Sequence, residues 1–169
     1  MARRATPLAA IRLLVLDVDG VLTDGRLRYG PDGEQEKVFN VRDGWGIRTL
    51  AATGVTVTVM SGRSSEAVVR RCEDLGIREV QQGVSDKGAV FAQLIARLGF
   101  AARECACIGD DIQDVPMMRQ VGLAVAVADA HVSARRAAHR RTRLPGGAGA
   151  VREVCEWLIA ARARARARR

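Results

Sequence analysis

Four short apolar runs limit what this chain can fold into: residues 11–17 (IRLLVLD), 55–60 (VTVTVM), 104–108 (ECACI) and 123–127 (LAVAV). Short runs this rich in β-branched and apolar residues read as buried strands, the environment of a parallel sheet. Between them lie stretches with helical spacing at about 44–52, 65–75, 87–98 and 115–121, each closing near a glycine or a polar turn. Strands alternating with helices in this way give an α/β fold, doubly wound in three layers around a mainly parallel sheet. One segment departs from the alternation. Residues 27–29 and 37–39 flank Gly30-Pro31-Asp32-Gly33, a turn sequence, so a β-hairpin spanning about 26–40 is expected after the first strand.

From about residue 148 a last helix carries Val151, Val154, Cys155, Leu158 and Ile159 on one stripe. Beyond Ala160 the chain alternates alanine and arginine, keeping helix propensity without an apolar face. The expected organisation is a flexible N-terminus over 1–10, one domain over 11–158, and an arginine-rich, solvated and fraying tail over 159–169. The net charge of +8 belongs to that end: residues 135–169 hold eleven arginines against Glu153 and Glu156, a net of +9, and the remainder carries −1. With six aromatic residues in 169 there is no interleaving of the kind that stacks bases, and no apolar run approaches a spanning helix. Neither a nucleic-acid partner nor a membrane is expected. Cys72, Cys105, Cys107 and Cys155 form no CxxC pair and no zinc spacing, and read as reduced, buried thiols of a cytoplasmic protein.

The residues that carry chemistry sit where the strands end. Asp17-Val18-Asp19-Gly20 follows the first strand, at the sheet edge where open α/β folds bind ligands. Two carboxylates this close need a cation between them, and an all-oxygen ligand set suits Mg²⁺. With its charge offset, one aspartate can attack phosphorus, and an acid two residues on can protonate the leaving alcohol and later deprotonate water. Ser61-Gly62-Arg63 follows the second strand and opens a helix, offering a hydroxyl and backbone N–H groups to phosphate oxygens. Lys87 begins the next helix and can place a compact cation on the same group. Gly109-Asp110-Asp111, with Asp114 three residues on, brings further acids to the same edge. Each piece alone has a plain reading: a polar turn, a helix cap, a surface lysine, a solvated loop.

In this order and at these element ends, the four pieces resemble the haloacid dehalogenase superfamily of phosphohydrolases. The resemblance implies Asp17 as nucleophile and Mg²⁺ ligand. It implies Asp19 as general acid/base, also ligating metal through its backbone carbonyl, and Asp110 as the remaining protein ligand. Ser61, Gly62 and Lys87 would hold the phosphate, with Asp111 and Asp114 in support. Too few residues separate the motifs for an inserted cap domain, so a neighbouring subunit is expected to cover the site. Longer stretches, LDVDGVLTDG, FNVRDGWGI, SGRSSEAVVRRCEDLGI, GDDIQDVPMM, VAVADAH and GGAGAVREVCE, are similar to 3-deoxy-D-manno-octulosonate 8-phosphate (KDO 8-phosphate) phosphatases over about residues 11–158. That family implies a capless homotetramer acting in the synthesis of the lipopolysaccharide inner core. In it the hairpin builds the subunit interface and the C-terminal segment reaches a neighbour's active site. It also implies Arg63 as the contact for the substrate carboxylate, with Asn40, Arg42 and Asp43 lining the same cleft. Ala148 departs from the pattern, since relatives commonly carry Arg or Lys there.

Two alternatives stand beside this reading. One is a phosphatase for another sugar acid phosphate, such as a sialic-acid-type 9-phosphate, in which the position of Arg63 tends to be acidic. The other is a non-catalytic module that keeps the fold and binds an anionic partner through the tail.

Overall fold

Leu13–Leu16 (β1) lies in the middle of a parallel sheet with all four side chains wholly buried. A strand with no exposed face needs helices on both sides. In this computed structural model, which describes residues 5–31 and 33–168, it has them. Residues 1–4, Asp32 and Arg169 lie outside the described residues, and with them part of the expected N-terminal segment, one turn residue and the last residue of the tail.

The other strands of the sheet are β4 (Thr56–Met60), β5 (Glu79–Gln81), β6 (Cys105–Gly109), β7 (Leu123–Ala126) and β8 (Arg140–Arg141), in the order β5-β4-β1-β6-β7-β8. Every pairing is parallel, which makes this the α/β architecture the alternating runs imply. The strands after β1 proceed outward on one side through β4 to β5, and the chain then returns to β1's other flank at β6. β1 and β6 therefore bound the place where strand order reverses, and their carboxyl ends open a crevice.

The helices are α1 (Val41–Ala52), α2 (Glu66–Leu75), α3 (Lys87–Leu98), α4 (Val115–Met118), α5 (Val132–Ala137) and α6 (Ala150–Ala167). α1 begins earlier than the apolar spacing suggests because the Asn40 side chain accepts from the N–H of Arg42 at 2.8 Å and caps it. α4 is a single turn, shorter than the expected 115–121, and α5 and β8 are too short and too polar to register as periodic patterns. Between β1 and α1, β2 (Arg28–Gly30) and β3 (Gly33–Glu36) pair antiparallel. Gly30 pairs with Gly33 across the reversal, so the returning strand begins at once, and the expected partner 37–39 follows it outside any strand.

α6 packs along α1, and the close approach depends on Gly46: a Cβ there would stand 3.0 Å from the Cα of Arg152. Its start has no cap of its own. Gly149 occupies the N-cap position with φ +108°, and the carboxylate of Asp43 on α1 accepts from the N–H groups of Arg152 at 2.7 Å and Gly149 at 3.3 Å. α6 begins beside the loop after β1, where the Gly147 N–H donates to the carbonyl of Val21 at 2.9 Å. At the other end Arg162 donates to the carbonyls of Ile11 at 3.1 Å and Thr53 at 3.0 Å, the latter at the C-terminus of α1. The helix thus runs the length of the sheet, and its exposed Arg164, Arg166 and Arg168 leave from the edge opposite Asp17.

Candidate active site

Asp17 is the first residue beyond β1, 6 % exposed, with its N–H donating to the carbonyl of Ile108 on β6 at 3.1 Å. The chain turns sharply three residues later at Gly20, where φ is +87° and a Cβ would collide with the carboxylate of Asp110. Only glycine meets both demands. The turn leaves Asp19 at the mouth of a cavity of about 260 Å³ lined by Asp17, Asp19, Ser61, Gly62, Arg63, Lys87, Asp110, Asp111, Gln113 and Asp114. All nine site residues expected from the sequence line this cavity.

Lys87 is the organising cation. Asp86 caps α3 by accepting from Gly88 at 2.9 Å and Ala89 at 3.0 Å, which fixes Lys87 at the first turn. Its ammonium, 3 % exposed, lies 2.7 Å from Oδ1 of Asp17 and 2.6 Å from Oδ1 of Asp114. The other oxygen of Asp114 accepts from the N–H groups of Asp110 at 2.9 Å and Asp111 at 3.2 Å. Both oxygens of Asp114 are thereby engaged, and the residue acts as a strut between Lys87 and the loop after β6. Ser61 is buried at the end of β4, and its hydroxyl oxygen accepts from the N–H of Arg63 at 3.3 Å. Arg63 itself is exposed at the rim, 3.4 Å from the hydroxyl of Tyr29 on β2.

Burial and crowding set the electrostatics. Carboxylate oxygens of Asp17, Asp110 and Asp114 lie within 4.8 Å of one another. Burial first, then repulsion from Asp114, raises Asp17 to about 6, against the pull of Lys87. Burial, then the charges of Asp17 and Asp114, pushes Asp110 up to about 8. Burial also works to neutralise Lys87, but the two carboxylates outweigh it and hold the ammonium above its ordinary value. One lysine does not balance three carboxylates. The donor set is hard, anionic and all oxygen, and it fits a small divalent cation such as Mg²⁺.

Asn40, Arg42 and Asp43 do not line this cavity. Asn40 donates to the carbonyl of Gly147 at 3.1 Å, and Asp43 is buried under α6. Arg42 instead lines a second cleft of about 600 Å³ with Arg143, Arg152 and Ala148. Asn40 and Asp43 tie α1 to the C-terminal segment, a task that demands hydrogen-bonding side chains as strictly as a substrate would.

Two residues near the site were not legible in the sequence. Gln113 lines the cavity across from Gly62, and Lys37, just after β3, forms an ion pair with Asp19. Lys37 stands in the polar run GEQEK, where nothing separates it from a solvated lysine. Gln113 lies inside GDDIQD, between the acids that carry the motif.

Residues 76–145 match the family model for haloacid dehalogenase-like hydrolases. The chain is 49 % identical over 151 residues to a 3-deoxy-D-manno-octulosonate 8-phosphate phosphatase of Escherichia coli K12, covering 89 % of this chain and 80 % of the relative. A crystal structure of the Yersinia pestis 3-deoxy-D-manno-octulosonate 8-phosphate phosphatase superposes with a TM-score of 0.90 at 47 % identity, over 93 % of this chain and 85 % of that one. The Moraxella catarrhalis phosphatase of the same name, in complex with magnesium, phosphate and KDO, gives a TM-score of 0.91 at 37 % identity, over 95 % and 92 %.

Proposed function

Because this chain belongs to the 3-deoxy-D-manno-octulosonate 8-phosphate phosphatase family of haloacid dehalogenase-like hydrolases, we propose that its cavity hydrolyses KDO 8-phosphate through a phosphorylated Asp17. The enzyme is a phosphomonoesterase. Its reaction yields KDO and inorganic phosphate, a step of lipopolysaccharide inner-core synthesis, and its cofactor is Mg²⁺. The observation that carries the mechanism is the buried Asp17–Lys87–Asp114 arrangement, in which Lys87 holds one carboxylate oxygen of an Asp17 that lines the cavity.

Asp17, Asp110 and the backbone carbonyl of Asp19 are the groups that would hold Mg²⁺, which when bound offsets the charge of the carboxylates and of the phosphate. The Ser61 hydroxyl, the backbone at Gly62 and the Lys87 ammonium receive phosphate oxygens. Lys87 fixes one oxygen of Asp17 so that the other faces phosphorus. Asp17 attacks, the ester P–O bond breaks, and Asp19 gives its proton to the departing sugar oxygen. Water then attacks the phosphorus of phospho-Asp17 while Asp19 takes a proton from it, and the acyl phosphate bond breaks to return the carboxylate. Arg63, exposed at the rim, would make a bidentate pair with the sugar's carboxylate. Asp111 and Asp114 support the loop that carries Asp110.

The cavity is open to solvent, and Tyr29, Val38, Val41, Trp45 and Leu144 expose large apolar groups. These features support a homotetramer in which neighbouring subunits cover the sites. Light scattering on the purified protein is expected to give four times the 18.2 kDa chain mass, and a monomer would overturn that assembly. No helix among the described residues is long and apolar enough to cross a membrane. All four cysteines are buried free thiols, which suits the cytoplasm, and fractionation of the native cells would test it.

Phosphate release tests the function. KDO 8-phosphate should be preferred by roughly tenfold or more over KDN 9-phosphate and hexose phosphates, with activity lost in EDTA. Preference for another acid sugar would move the substrate and keep the mechanism. No release from any of them would sink the proposal.

A further inference from the structure

We propose that Lys37 is a positioning residue, holding the Asp19 carboxylate where the acid/base steps need it. The inference rests on the acid/base role given to Asp19. Lys37 leaves β3 and returns toward the sheet, and its side chain is 2 % exposed where it meets Oδ1 of Asp19, itself 21 % exposed. A side chain enclosed to that extent has given up most of its contact with water, so the contact with Asp19 fixes where its ammonium sits. Lys37 is not among the residues lining the catalytic cavity, whereas Asp19 is. The ammonium therefore approaches the carboxylate from behind and acts through it.

This separates the work of two buried lysines. Lys87, from α3, orients Asp17 and Asp114, and Lys37, from the hairpin, addresses the carboxylate two residues further along the same loop. The loop's backbone is set by Gly20 and by the C-terminal segment, but backbone placement leaves the χ angles of Asp19 open. An ion pair from an independent element closes them. The hairpin thus gains a direct connection to the chemistry. A displacement of about 1 Å in a reacting group costs on the order of a hundredfold in rate.

The second half-reaction isolates the effect. Water attacks the phosphorus of phospho-Asp17, the acyl phosphate bond returns its electron pair to Asp17, and the proton goes to Asp19. With p-nitrophenyl phosphate the first half needs no proton, because the nitrophenolate leaves unaided. In rapid-mixing experiments on the Mg²⁺-loaded enzyme, Lys37→Gln is expected to raise the ratio of burst rate to steady-state rate by roughly 10- to 100-fold, and Lys37→Arg by less than tenfold. A merely structural role would slow both phases together. That result, or a ratio unchanged from wild type, overturns the proposal. Should Lys37→Gln fail to fold, Lys37→Arg is decisive, and a shift below about twofold overturns it. Asp19→Asn in the same assay keeps the two readings apart. If its ratio stays at the wild-type value, the acid/base assignment itself fails; if its ratio rises and that of Lys37→Gln does not, only the positioning by Lys37 fails.

Discussion

Replacing Asp17 with asparagine will leave a folded protein whose phosphate release from KDO 8-phosphate falls by about 10⁴-fold or more. The amide keeps the shape of the carboxylate and an oxygen that can still accept from Lys87, so the buried contact at 2.7 Å survives. It cannot attack phosphorus. Stability is expected to move the other way. Without a cation, Asp17 titrates near 6 in the fold, against an ordinary value of 3.8. A raised carboxyl value means that the folded state binds more protons than the unfolded chain between those limits, so stability falls as pH rises from 4 to 6 and stays reduced above it. The penalty is on the order of 3 kcal/mol for a shift of that size. Asparagine removes it, and in EDTA at pH 8 the variant should unfold at or above the wild-type temperature. Mg²⁺ should stabilise wild type more at pH 8 than at pH 5, because binding requires ionised Asp17 and Asp110, and it should stabilise Asp17→Asn less. Normal phosphate release by the variant would eliminate Asp17 as nucleophile.

What could be read from the sequence depended on whether a residue's task leaves a local trace. The strands of the core did, because β1, β6 and β7 are buried on both faces without a polar residue, and β4 is buried along Val57–Met60 with only Thr58 to satisfy, which its hydroxyl does by donating to the carbonyl of Glu79 at 2.8 Å. β8 did not: Arg140 and Arg141 are exposed edge residues whose strand conformation comes from pairing with Val125 and Ala126. Asp17, Lys87 and Asp110 were legible because their chemistry ties them to strand and helix ends. Lys37 was not, since its burial is produced by a hairpin returning to the sheet, a tertiary event without periodicity. Asp43 shows the converse. Its place in FNVRDG suggested substrate contact, but the fold spends it on capping α6, whose own N-cap residue, Gly149, has no side chain to offer.

The arginine-rich end shows a division within a single repeat. Arg162 is drawn into the fold because two carbonyls, of Ile11 and Thr53, lie at the edge of the sheet where α6 passes. Two residues later the helix has run beyond the body, and Arg164 faces solvent. Since α6 starts at the catalytic loop and ends at the far edge, these arginines cannot serve the active site of their own subunit.

Lys87→Met is the substitution expected to damage the protein most. It leaves Asp17 and Asp114 buried side by side without the cation that lies within 2.7 Å of both. Removing one partner from a buried ionic cluster costs about 3–5 kcal/mol, because the remaining charges keep their desolvation penalty and lose their compensation. Methionine fits the apolar stem of lysine, so the loss should report charge more than packing. The sign of the pH dependence follows. Asp17, already raised by burial and by Asp114, loses with Lys87 the charge that pulls it down, so the folded state binds more protons than the unfolded chain over a wider range and the deficit grows as pH rises. Denaturant unfolding in EDTA should therefore show a large loss at pH 8 that shrinks by pH 5. Asp114 would also lose its strut function, freeing the Asp110–Asp111 loop whose N–H groups it holds, so phosphate release should fall even in the fraction that folds. A loss of stability equal at both pH values would show that Lys87 contributes by packing, and the electrostatic account of the site would have to be abandoned.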